Sequence, residues 1–362
     1  MGGKIFLVFP PSEICRFEKY GLSFGMATGC HGPDRAAVWV TAISVFPGMG
    51  NFPRTQNAFM STTPPNKNFQ ALLGNAQLPA LPQSAIKLME LSRDPNKGPA
   101  EFAVPIEADA GLTGQILKFV NSAYFGFSRE ISNIKMAITL VGIRTIKNFA
   151  LWSAVFSLMP NPKCGPFDLK SLWQDSLRRA LFARAYAKLL GLKDAEEVFA
   201  AALLQDMAVP LLAKEKPQEY LAMLDERAKT GRRLSDLEQE KFGFQHAEVA
   251  GAMARSWKMP EDFATMLDSH TSLESLLPEK DKNPGKIAVA LSAYLPSCSV
   301  NTWSEAATFD QYFQATKPAN APSINDLLAQ IDKEYIEFAP VLKLALPSKT
   351  LVASYDEALQ TA

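Results

Sequence analysis

The stretch Phe199–Ala213, FAAALLQDMAVPLLA, decides the fold. It is an apolar run of helical character broken only by Gln205 and Asp206, two adjacent polar side chains. Inside a helical bundle such groups cost free energy unless they are partnered, so the pair needs a reason. One reason is a helix end: Asp206 caps a second turn, and Pro210 occupies the first positions of the helix that follows. The other is a present or former metal site, with the pair turned inward to meet polar side chains from neighbouring helices.

Outward from this run, the pattern stays helical in both directions. On the N-terminal side, Phe167–Leu190 is a long amphipathic helix closed by Gly191. On the C-terminal side come Pro217–Lys229, Leu234–Phe242, Glu248–Trp257, Glu261–His270 and the apolar Lys286–Leu295. Pro160–Pro166, PNPKCGP, reads as a linker, and before it lies a second set of helices. These are LPALPQSAIKLMELSRDP (Leu78–Pro95), a shorter piece at Ala100–Ala108 weakened by Pro105, Leu112–Val120, Ile131–Val141 and Ile143–Met159. Gly142 allows a break between the last two, and Gly126 a turn after Val120. No alternating run with hairpin turn signals follows residue 68. The expected architecture is therefore all-α, a bundle in two packed lobes, the first reaching to about residue 159 and the second starting near 166. Residues 296–362 form a C-terminal helical tail, with Ile324–Ile336 amphipathic and Val341–Leu346 stopped by Pro347. Residues 1–67 lack a helical period and are expected to be an irregular or disordered extension, or sequence upstream of a natural start at Met60.

Composition narrows the classes. The 362 residues carry 37 Lys and Arg against 37 Asp and Glu, so no net charge draws the chain to nucleic acid or an anionic membrane. The four cysteines, Cys15, Cys30, Cys164 and Cys298, form no CxxC pair, which excludes a zinc ribbon and a redox motif and suits a reducing cytoplasm. The longest apolar run, Phe149–Met159, is too short to span a bilayer. There is no glycine-rich phosphate loop, no GxSxG and no basic stripe interleaved with aromatics.

The ordered series of motifs resembles the HDOD family, bacterial regulatory relatives of the HD phosphohydrolases. The likeness is carried by Leu78–Pro95, IEADAGLTGQILKFVNSAYFGF (Ile106–Phe127), ISNIKMAITLVGIRTIKNFAL (Ile131–Leu151), LWQDSLRRA (Leu172–Ala180), AALLQDMAVPLL (Ala201–Leu212) and FGFQHAEVAGAMARSWKMPEDFATMLDSH (Phe242–His270). It covers residues 78–295; Asp109-Ala110, where the family usually shows Asp-Pro, is a departure, as is Pro105. The resemblance implies an HD-like helical bundle in bacterial signalling that acts through other regulatory proteins rather than by hydrolysis.

It also implies where the HD site would lie. An HD centre holds divalent metal with imidazoles and carboxylates from several helices. By the resemblance, Asp175 stands where the first His is expected, Gln205 replaces the His of the central pair, Asp206 remains, His246 and His270 match later His positions, and Ala293 falls near the final Asp. A Gln amide is a neutral, weak ligand without imidazole's donor nitrogen, and the remaining histidine, His31, lies in the N-terminal extension. A normal ligand set cannot be assembled, so no metal, cofactor or catalytic residue is expected. Asp206, His246 and His270 are expected to hydrogen-bond one another or nearby backbone. Asp175 with Arg178 and Arg179 has the spacing of a solvated helical ion pair; the arginines alternatively line a pocket for a phosphorylated ligand. Asn121, Ser122, Tyr124 and Phe125 form either a capped turn that packs two helices or a recognition surface. The expected function is a non-catalytic signal-transduction module in the cytoplasm, with a degenerate metal-dependent phosphohydrolase acting on a nucleotide or cyclic dinucleotide as the alternative.

Overall fold

The computed structural model describes residues 79–298 and 302–360 and three short strands near the N-terminus. The chain divides into two units, Met1–Thr62 and Thr63–Ala362. In the first, β1 (Ile5–Phe9), β2 (Phe24–Met26) and β3 (Ala36–Val40) form an antiparallel sheet in the order β1-β3-β2, with Ile5 and Phe24 both opposite Val40. These strands fall within residues 1–67, the stretch expected to be an irregular or disordered extension, whose other residues lie outside the described ones. Met60, Cys15, Cys30 and His31 lie outside the described residues.

Among the described residues the second unit is entirely helical. Its first lobe runs through α1 (Gln83–Leu91), α2 (Pro99–Glu107), α3 (Ala110–Val120), α4 (Ile134–Val141) and α5 (Ile143–Leu158). Asp109 caps α3 by accepting from the Leu112 N–H at 3.0 Å, and Asn133 caps α4 through the Met136 N–H at 2.7 Å. Gly142 takes φ +93°, a conformation side-chain-bearing residues rarely adopt, and so separates α4 from α5. Pro105 sits inside α2, which continues two residues past it before ending.

The second lobe is built around α6 (Leu169–Leu189) and α7 (Ala195–Leu204). From Val198 to Leu204 every residue of α7 is buried, as expected of a helix apolar on all sides. Next come α8 (Val209–Glu215), α9 (Pro217–Thr230), α10 (Leu234–Phe242), α11 (His246–Ser256), α12 (Glu261–Ser269), α13 (Leu273–Leu276) and α14 (Pro284–Ser292). The first lobe joins the second where α5 packs on α7, and α14 packs on both α6 and α7. Helices α11 and α12 approach so closely at Gly251 that a Cβ there would collide with the Asp268 carboxylate.

The tail forms α15 (Ala306–Thr316), α16 (Ile324–Phe338) and α17 (Leu351–Gln360). It is helical as expected, but it is no appendage: α16 lies along α6, with Leu328 and Ile331 fully buried. Packed by α16 as well as by α7 and α14, α6, amphipathic in sequence, has buried residues on all its sides, with Arg178 and Arg184 facing Tyr335 and Glu334 of α16.

Candidate functional site

The run that decides the fold breaks where its sequence changes character. Helix α7 ends at Leu204, α8 begins at Val209, and Pro210 lies in the first turn of α8 as its missing N–H favours. Asp206, however, caps nothing with its side chain. Its carboxylate turns inward and meets Arg179 of α6 through one oxygen, while the other oxygen lies 3.3 Å from His246 Nε2 and 3.6 Å from His270 Nε2. Helices α6, α11 and α12 thus deliver one group each to the loop between α7 and α8.

Both imidazoles are fixed from behind. His246, the first residue of α11, donates from Nδ1 to Glu238 Oε2 at 2.6 Å, and its backbone N–H donates to the same oxygen at 2.7 Å. The Tyr220 hydroxyl donates to the other Glu238 oxygen. His270 donates from Nδ1 to the Leu267 carbonyl at 2.7 Å. With each Nδ1 committed as a donor, two neutral rings would point bare Nε2 lone pairs at one another across 3.1 Å, beside an Asp206 oxygen that is also an acceptor. Three acceptors converging out of water require a cation between them, either a proton or a metal ion.

The charges follow. Burial works against a charged His246, but Glu238 and Asp206 outweigh it and carry its pKa up to about 9. Burial, together with the charge on His246, holds His270 below its ordinary value despite Asp206. Burial would raise the Asp206 pKa, yet Arg179 and the two histidines hold it well below the usual carboxylate range. The resting arrangement is a protonated His246 donating from Nε2 to His270, and an ionised Asp206 pinned by Arg179. The same three ligand atoms, one each from Asp206, His246 and His270, lie within 4.8 Å of one another, which fits a single metal ion in the proton's place. Glu238 behind His246 is the carboxylate that commonly orients a ligating imidazole. A second ion would need Asp206's other oxygen, which the guanidinium already holds.

The other predicted positions divide. Gln205 is fully buried, does not line the cavity beside the cluster, and neither of its amide atoms has a hydrogen-bond partner among the described residues. Ala293 ends α14 on the cavity wall and supplies no ligand atom. Asp175 is buried instead of solvated; it accepts from Ser297 Oγ at 2.6 Å and the Cys298 N–H at 2.5 Å. The helical ion pair expected with Arg178 and Arg179 does not form, because the tail covers that side of α6: Arg178 donates to the Lys349 carbonyl at 3.1 Å, and Arg179 takes Asp206. Asn121, Tyr124 and Phe125 make the contacts of a capped turn. Asn121 bonds the Leu117 carbonyl and both backbone groups of Ile131, while Tyr124 and Phe125 pack edge-on to Phe338 and Phe119 respectively. The Ser122 hydroxyl is buried without a partner among the described residues.

Sequence reasoning missed Glu238, Tyr220, Arg227, Arg233 and Glu305. Glu238 sits in LSDLEQEKF, where charged residues alternate with apolar ones and nothing marks one acid as buried; only its place eight residues before His246 could have raised it. Arg227 and Arg233 look like solvated charges at the ends of helices.

The cluster opens on a cavity of about 140 Å³, whose wall carries Arg179, Arg227 and Arg233 as well as Asp175, Asp206 and Glu305. Among the described residues, no helix is long and apolar enough to cross a membrane.

Known proteins share this architecture. A Geobacter sulfurreducens HDOD domain protein of unknown function superposes with a TM-score of 0.61 at 22% identity, covering 77% of this chain and 97% of its own. A Shewanella amazonensis chain provisionally named a phosphohydrolase gives 0.59 at 20% identity, covering 77% and 98%. A Marinobacter aquaeolei chain provisionally named a signal transduction protein gives 0.54 at 17%, covering 75% and 58%. At these identities the likeness is one of fold. An uncharacterised Treponema pallidum protein is 23% identical over 197 residues, which span 54% of this chain and 38% of that protein's length. The HDOD domain profile matches residues 78–273, more than half of the chain, and the chain belongs to the HDOD family.

Proposed function

We propose that this chain is a non-catalytic regulatory module of a bacterial cytoplasm, passing a signal by contact with other proteins. The observation that carries the reading is the ion pair between Arg179 and Asp206 inside the site. A covalently attached cation satisfies the carboxylate that an HD centre would devote to metal, and it cannot polarise a phosphoester or activate water as a divalent ion does. Gln205, in the position where the resemblance implies an imidazole, is buried away from the cavity and adds no ligand there. Family membership supports a regulatory, HD-related role. The test is turnover of a broad panel of phosphoesters, including nucleotides and cyclic dinucleotides, with manganese added. No turnover is expected; manganese-dependent turnover that His246→Ala abolishes would overturn the proposal.

One observation favours a second reading, a phosphohydrolase using a single metal ion. Asp206, His246 and His270 offer three ligand atoms with both imidazoles already oriented. An ion held there would lower the pKa of a bound water and polarise a phosphoryl oxygen. Asp175 takes no direct part in that set, since its oxygens are engaged by Ser297 and Cys298.

A further inference from the structure

We propose that the cavity beside the Asp206 cluster is a binding site for a phosphoryl group, held by the guanidinium groups of Arg227 and Arg179. The inference starts from a surplus of donors. The acids on the wall already accept hydrogen bonds or face a cation: Asp206 meets Arg179 and the histidines, Asp175 accepts from Ser297 and Cys298, Asp168 from Ser171, and Glu305 pairs with Arg233 at 3.1 Å. Arg233 is held further by the Tyr294 ring, 4.1 Å beneath its guanidinium. Arg227 has no such tie. Its guanidinium lines the cavity without an ion pair or side-chain hydrogen bond among the described residues, leaving up to five N–H donors for a ligand.

Arg179 adds a second donor. Its side chain is 10% exposed, and its Nε is buried with no partner. The two arginines also act on each other: burial lowers the Arg227 pKa, and of the charged groups around it the strongest influence is the like charge of Arg179. A half-buried cation repelled by a neighbouring cation is relieved by an anion between or beside them. Guanidinium forks match the paired oxygens of phosphate better than a point charge does, and a cavity of about 140 Å³ admits a phosphoryl group with part of the molecule that carries it. Phe167, Leu172 and Leu224 supply an apolar portion of the wall for that remainder. The source is either free phosphate or a small phosphorylated metabolite; the recognition chemistry is shared.

The site does not depend on whether the cluster hydrolyses anything, and the experiment separates the two. Calorimetric titration of the full chain is carried out in EDTA, with inorganic phosphate, adenosine monophosphate and acetate as probes. Saturable binding of phosphate or the nucleotide is expected, weakened at least tenfold by Arg227→Gln and unchanged by Arg232→Gln. Arg232 is a control, because it pairs with Glu226 and Glu240 and is not on the cavity wall. Arg227→Gln breaks no ion pair or side-chain hydrogen bond among the described residues and folds with stability close to that of the parent, so lost binding reports the site. Tighter binding of the nucleotide than of phosphate identifies a metabolite as the source; the reverse identifies free phosphate. No saturable binding of either up to about 20 mM, equal binding by Arg227→Gln, equal binding of acetate, or binding that appears only when manganese replaces EDTA would each overturn the proposal.

Discussion

Two polar interruptions of apolar helices, Asn121 after α3 and Gln205-Asp206 after α7, meet opposite fates. At Asn121 a neutral side chain satisfies three backbone groups, two of them on Ile131, and the turn is closed with nothing left to react. At Gln205-Asp206 the polar groups find no backbone partners. Asp206 is satisfied by charged and ionisable side chains from three other helices, and Gln205 is left unsatisfied. Backbone satisfaction closes a structural turn, whereas side chains that satisfy one another across helices leave a cluster able to take up a proton or an ion.

The sharpest way to break this contrast is Asp206→Ala. It strands the Arg179 cation and removes an anion from beside His246, and removing one partner of a buried pair costs about 3–5 kcal/mol. Urea unfolding should register that loss; a change under about 1 kcal/mol would show that the cluster is not the coupled unit described. Stability against pH, measured in EDTA, probes the other end of the network. The folded pKa of His246, about 9, lies above its unfolded value near 6.5, so its contribution is fully present below pH 6.5 and is lost as pH rises through 9. The full effect is about 3 kcal/mol, and His246→Gln should flatten the profile. A parent profile flat between pH 6.5 and 9.5 would contradict the assignment of the proton.

Asn121→Ala should cost less, about 2 kcal/mol, because it frees backbone groups that are neutral. If chemical denaturation shows a loss as large as that of Asp206→Ala, the distinction between the two interruptions fails. The smallest effect has the opposite sign. Gln205→Met replaces an unbonded, fully buried amide with an apolar chain of similar length and should stabilise the protein by about 1 kcal/mol. Destabilisation in a thermal melt would mean that the amide is used.

Much of this was legible in the chain. The break at Asp206, the place of Pro210, the separation at Gly142 and the meeting of Asp206, His246 and His270 follow from local pattern and the family resemblance. What stayed hidden depends on cover from distant sequence. Arg178 and Arg179 read as one polar face of an amphipathic helix; the tail covers Arg178 through Lys349 and Tyr335, and the loop after α7 takes Arg179 through Asp206. Asp175 was misread for the same reason, its partners Ser297 and Cys298 lying more than a hundred residues away. Arg227 and Glu305 have no local signature, since a solvated charge and a cavity-lining one are spelled alike.

The central claim is that Arg179 has taken up the cation requirement of Asp206, leaving a cluster that a proton completes. Elemental analysis of the full chain, purified without chelator and compared with His246→Ala, tests it most directly. The account predicts transition metal far below one equivalent in both. About one tightly held ion per chain, lost in His246→Ala, would contradict it and favour the hydrolytic reading.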